Sequence, residues 1–173
     1  MAANVDLRLD VVTTWRLPER LAAELPKIPT EIVSKVARQL RYGKGGIAEQ
    51  FRRQGAITRS GFTKWKPSKR ALREGGPTLI KTGAYFRAWL GRGPGGVARV
   101  VQSGNAQAIE VGVDRALFPR VHVFQKDRPT TFRRGGSSWQ VAQRPVRLNN
   151  PVVTEARQIF VAGIQDHIKG LGG

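Results

Sequence analysis

The side chains that do chemistry in enzymes are thinly spread along this sequence. Its two histidines, His122 and His167, lie far apart, and neither sits in a recognisable catalytic context. Ser60, Ser68, Ser137 and Ser138 fall in basic stretches with no nearby His–Asp pair to activate a hydroxyl. The acidic residues are scattered rather than paired, so a two-metal nuclease site has few ligands to draw on. The chain has no cysteine, which removes disulfides, thiolate zinc sites and a cysteine nucleophile together. Gly91-Arg92-Gly93-Pro94-Gly95-Gly96 has the glycine density of a phosphate-cradling loop. It lacks a closing Gly-Lys-Ser or Gly-Lys-Thr and follows a helical pattern instead of a strand, so it reads as a connector. The expectation is a protein that is not an enzyme and uses no metal or organic cofactor.

Charge is the stronger chemical signal. Lys and Arg number 30 against 12 Asp and Glu, a formal charge of +18 on 173 residues. From Lys35 to Glu74 the run of cations, including Arg59, Lys64, Lys66, Lys69 and Arg70, meets acid only at Glu49 and Glu74. Further basic clusters lie at Arg87–Arg99 and at Arg115–Arg134, the latter ending in Arg133 and Arg134. Two readings stand: a face turned to solvent or to acidic neighbouring subunits, and direct contact with DNA through counterion release. Phe62 and Trp65 interleave with the charge, but no aromatic pattern of a single-strand or RNA module is recognisable. An exposed Trp65 would be costly, so it packs either into the domain or into a neighbouring subunit, and both readings remain open.

The elements that must position these residues follow from periodicity. One domain over 1–173 is the default at this length, and 40% hydrophobic residues suffice for a core. Residues 4–12 alternate as a half-buried strand, and a short helix is expected over Glu19–Leu25. Thr30 is placed to cap a helix to Tyr42, with Ile32, Val33, Val36, Ala37 and Leu40 on its apolar face. A second helical piece covers Ile47–Gln54. The stretch 55–77 then reads as a long basic loop and candidate interaction arm. Helix formers resume over Thr78–Leu90. Val97–Ser103 and Ala108–Val113 form a hairpin around Gly104-Asn105, while His122–Gln125 and Trp139–Gln143 are candidate strands. Between the last two lies a second basic loop, 126–138. A helix from Pro151, capped by Asn150, runs to about Lys169, with Val152, Ala156, Ile159, Phe160, Gly163, Ile164 and His167 or Ile168 on its apolar stripe. The fold class is α+β: one antiparallel sheet of about four or five strands, packed by the C-terminal helix and two central helices. No apolar run approaches the length of a membrane span and no signal pattern opens the chain, so a soluble protein made in the cytoplasm is expected.

An ordered series of short signatures carries a resemblance. They are Phe51-x-x-x-Gly55, Trp65-Lys66-Pro67, Leu79-Ile80-Lys81-Thr82-Gly83, Ile109-Glu110-Val111-Gly112-Val113, His122-Val123-Phe124-Gln125 and Arg144-Pro145-Val146. In this order they resemble the phage virion morphogenesis family, the small tail-completion or neck proteins of tailed phages such as Mu, over residues 48–170. The chain departs from the family pattern at His122-Val123-Phe124-Gln125, where the order differs and the glycine is absent, and at Val146, where the family carries Phe. The resemblance implies a structural virion protein, a six-fold ring at the head–tail junction or proximal tail end. Its partners would be copies of itself, neighbouring neck or tail-tube proteins, and packaged DNA in the channel. It also implies that Thr82-Gly83 marks close packing beside the sheet, and that Arg144 is placed for an ion pair within or across subunits. A stand-alone basic nucleic-acid-binding module is the alternative.

Overall fold

The computed structural model describes residues 28–58, 61–77, 83–103, 106–114, 116–118, 130–134, 136–142, 144, 146–148 and 150–171. The strand expected at 4–12, the helix at Glu19–Leu25 and the strand at His122–Gln125 lie outside them. Helix α1 (Thr30–Tyr42) buries Ile32, Val33, Val36, Ala37 and Leu40, the face its spacing predicts. Thr30 is its first helical residue and not its cap. Pro29 takes the cap position (φ −59°, ψ 138°), and its carbonyl accepts from the N–H groups of Ile32 and Val33. The proline ring pre-sets the backbone there, so no side-chain cap is needed.

Helix α2 (Ile47–Arg53) ends at Gln54, which adopts a left-handed conformation (φ 54°). Its side-chain amide donates to Phe51 O at 2.6 Å, offsetting part of the strain of that conformation. Two short helices follow, α3 (Lys69–Glu74) and α4 (Ala84–Trp89). The expected helix from Thr78 is shorter in its described part, because Gly83 (φ 72°) sets the start of α4. That glycine is required by its left-handed backbone and not by close packing beside a sheet: an added Cβ there would meet only the Arg87 guanidinium, at 2.8 Å. The last helix, α5 (Asn150–Leu171), starts at Asn150 itself, so Asn150 is helical and not the cap.

The strands form three separate antiparallel ribbons among the described residues, not one sheet of four or five. They are β1 (Gly55–Thr58) with β2 (Gly61–Lys64), β3 (Gly96–Ser103) with β4 (Ala106–Val113), and β5 (Thr130–Arg134) with β6 (Ser137–Val141). In the sequence, two residues separate the paired strands of each ribbon. Both expected basic loops therefore contain regular structure. The 55–77 stretch is a hairpin followed by α3, and 126–138 contains β5 and the start of β6. Pairing across a two-residue turn carries little loop entropy, whereas joining ribbons into one sheet needs distant segments to meet.

Two core clusters hold these parts. In the first, α1 packs on Ala156, Phe160 and Ile164 of α5 and on Ile109 and Val111 of β4. The second gathers Ile47 and Phe51 of α2, Trp65, Ala88 and Trp89 of α4, Val113 and Val146. Phe51 is its aromatic centre, with ring centroids 5.3 Å from Trp65 and 5.1 Å from Phe86. Helix α3 depends more on its cap than on its core, since Ala71 is its one buried residue. Ser68 Oγ accepts from Ala71 N–H at 3.0 Å. Ser68→Ala should lower stability by about 1 kcal/mol, and Ser68→Asp should keep it. Urea unfolding of the two variants checks this.

Candidate interface on the basic arm

The arm begins at the end of α2, where Arg52 and Arg53 reach toward Glu49. A hydrogen bond from Gly45 N–H, with Arg53 and Arg52 beside it, holds the Glu49 carboxyl below its ordinary pKa. Chain direction then reverses through the β1–β2 hairpin. Gly55 is required here because the Phe62 ring lies over it: an added Cβ would stand 2.4 Å from Phe62 Cζ and 2.5 Å from Thr63 O. The Arg53 guanidinium sits 3.9 Å from the centre of the same ring, a cation–π contact that ties the hairpin to α2.

Trp65 settles between the two open readings in favour of the core. Only 5% of it is exposed, and it meets Phe51 edge to face. Its N–H donates to Gln54 O at 2.8 Å, so the chain leaving β2 is bound back to the end of α2. Lys64 and Lys66 flank this buried anchor and are both exposed. Lys69 is exposed as well. Arg70 and Arg73 both reach Glu74, at 3.2 and 2.7 Å, and Arg70 also donates to Pro77 O. Leu72 projects among these cations with 73% exposure. One carboxylate facing this many cations leaves the arm strongly positive, and exposed pairs of this kind add little stability to the chain that carries them.

Arg144 is buried and joins the arm from the far end of the sequence. Its Nε donates to Lys66 O at 2.9 Å and its Nη1 to Ala142 O at 3.2 Å. Both are backbone carbonyls, and burial lowers the Arg144 pKa. Arg144 thereby joins the Lys64–Arg70 stretch at Lys66. Arg133 is exposed on β5 in a different ribbon, and Arg134 ends that strand. Gly112 is buried in β4 opposite Val97. Arg59, Thr82, His122, Phe124, Gln125 and Pro145 lie outside the described residues.

Three positions matter that sequence reasoning passes over. Gln50 is 1% exposed, and its Oε1 accepts from Arg147 N at 2.9 Å, fixing the segment that leads to α5. Its only signal was position, on the same helical face as Ile47 and Phe51. Arg41 and Tyr42 tie α1 to the Gly91–Gly96 turn, Arg41 Nη2 donating to Val97 O at 2.9 Å and Tyr42 Oη to Leu90 O at 3.0 Å. The turn joins α4 to β3, as a connector should. Among the described residues no group of three His, Cys, Asp or Glu side chains is placed to hold a metal ion, and no helix is long and apolar enough to cross a membrane. A scan against protein-family models and searches of curated proteins and solved structures return no match.

Proposed function

We propose that this chain is a structural virion protein of a tailed phage, a ring-forming subunit at the head–tail junction or the proximal end of the tail. The observation that carries the reading is where the ordered signatures meet. Phe51, Trp65, Val113 and Val146 come from four of them and share the second core cluster. The Trp65-Lys66-Pro67 and Arg144-Pro145-Val146 signatures are joined by the Arg144–Lys66 hydrogen bond. This packing brings four of the signatures into one core. The function of such a subunit is assembly: it would terminate the tail tube or complete the neck, and so permit head and tail to join. The exposed cations on the arm and on β5 suit acidic neighbours or the wall of a DNA channel.

Mass spectrometry of purified particles made by the encoding genome tests the proposal. The chain should be present in a fixed multiple of the tail number, six for a six-fold ring. Particles that lack it would overturn the reading. The rival, a free nucleic-acid-binding module, has the net charge of +18 as its support. It predicts tight, steeply salt-dependent binding of duplex DNA by the isolated subunit.

A further inference from the structure

Arg41 is a cation held at some cost and matched to a dipole instead of an acid. It is half-buried in the last turn of α1, and its guanidinium lies against the backbone of Gly91, where an added Cβ would stand 2.6 Å from Arg41 Cζ. A guanidinium carries five N–H donors. Among the described residues one of them is bonded, Nη2 to Val97 O at 2.9 Å, while Nε is buried without a hydrogen-bond partner. A carbonyl satisfies a donor but does not neutralise the charge. Burial lowers the Arg41 pKa, because a desolvated cation is disfavoured until an anion comes near it.

Arg92 brings a second guanidinium to the same place. It is exposed on the Gly91–Gly96 turn, 5.1 Å from the centre of the Tyr42 ring, and the Tyr42 hydroxyl donates to Leu90 O at 3.0 Å. The Arg92 N–H donates to Arg87 O at 2.8 Å, so the turn that carries it is closed onto α4. Arg41 beside Tyr42 and Gly91 beside Arg92 thus meet at one junction.

The surroundings are cationic too. Lys35 and Arg38 are exposed on the preceding turns of α1, and no acidic residue falls in 35–44 or in 87–99. In the second run Arg99 is paired, with Glu110 at 2.9 Å. Residues 35, 38 and 41 are spaced three apart on the helix, so their charges follow its axis as a track. A track of cations matches a repeating line of anions better than a compact acidic patch, and the backbone of duplex DNA is such a line. The planar forks of two arginines suit phosphate oxygens.

We propose that Arg41 and Arg92 hold a backbone phosphate of duplex DNA where α1 meets the Gly91–Gly96 turn, with Arg38 and Lys35 continuing the track. The phosphate site rests on this geometry. The choice of DNA over another source of phosphate rests on the proposed place of the chain at a DNA channel.

The arginine Nε–Hε signals of the full-length protein, followed by NMR, test both parts. Inorganic phosphate and a short DNA duplex are the probes, with potassium chloride at matched ionic strength and poly-glutamate as comparisons. The Arg41 and Arg92 signals should move to saturation with phosphate, do so at lower concentration with duplex, and stay still in chloride. Arg92→Gln should weaken the Arg41 response by about tenfold, the loss of one charge-assisted contact. Arg92 is exposed and its backbone bond survives the substitution, so the fold is kept. Arg87→Gln removes the same charge nearby, but that guanidinium lies toward Gly83, where a Cβ would stand 2.8 Å from its Nη1. It should change the response by less than about twofold, the effect of a screened distant charge. Shifts that chloride reproduces, or signals that stay still with both phosphate and duplex, overturn the site. A response to phosphate without one to duplex overturns the assignment to DNA, and a tighter response to poly-glutamate overturns it in favour of an acidic protein. The ring reading is decided separately, by whether particles carry the chain.

Discussion

Phe160→Ala should lower the free energy of unfolding by about 3–5 kcal/mol, the loss expected when a buried aromatic is truncated and its cavity only partly closes. Phe160 is 6% exposed and stands in the cluster formed by α1, α5 and β4. α5 cannot shift to fill the gap, because Gly163 already brings it against α1: an added Cβ there would lie 3.1 Å from Ile32 Cγ1. The neighbouring residue is a control within the same helix. Val161 is 44% exposed, and Val161→Ala should change stability by less than about 0.5 kcal/mol. Urea unfolding with an unchanged m-value separates the two. A loss below about 1 kcal/mol at Phe160 would mean that α5 does not carry the core.

Helix positions were legible because one signal fixed both their existence and their buried face. The period of Ile32, Val33, Val36, Ala37 and Leu40 gave α1 its bounds and its core side, and the stripe from Val152 to Ile168 did the same for α5, whose Ala156, Phe160 and Ile164 are buried in the core while Ile159 and Ile168 pack against it partly buried. Strands in basic stretches were hidden by composition. Ile57, Thr58, Phe62 and Thr63 are good strand formers, but four-residue strands among Gly, Ser, Lys and Arg offer too few alternations to outweigh the loop signal. Thr130–Arg134 was lost for the same reason. The grouping of strands was not legible at all, since edge pairing is set by tertiary contacts that no local pattern encodes.

The candidate site divides along the same line. Exposure of Lys64, Lys66 and Lys69 follows from their type. The burial of Trp65 does not follow from its basic neighbours; it depends on Phe51, which reaches it only because Gln54 and Gly55 reverse the chain. Arg144 shows the limit most clearly. This guanidinium holds the carbonyl of Lys66, and a backbone partner leaves no mark in the sequence. Its effect is to brace the arm from the segment that leads into α5, so the arm is held at both ends.

Changing Lys64, Lys66, Lys69 and Arg70 together to Glu should abolish assembly while leaving the subunit folded. Stability should change by no more than about 1 kcal/mol, because exposed cations contribute little to their own domain. Arg70 is the one position with a local cost: its side chain is 26% exposed and pairs with Glu74. A glutamate there would face Glu74 one helical turn away, a repulsion of about 0.2–0.5 kcal/mol. Across an interface the balance is different. Like charges brought together on docking cost several kcal/mol, enough to dissociate a contact of ordinary strength. Trp65, Ser68 and Arg144 are untouched in this variant, so the arm keeps its shape and only its sign is reversed. Near-ultraviolet circular dichroism should match the wild type, while ring formation and particle yield fall away. Duplex DNA binding then decides between the partners that so positive an arm could serve. A free DNA-binding module would bind tightly as a monomer, and loss of four phosphate contacts would flatten its log K against log salt slope by roughly 3–4. A ring subunit would bind DNA weakly before assembly, with little slope to lose. Normal assembly and infectivity of the four-fold variant would remove the arm from the interface.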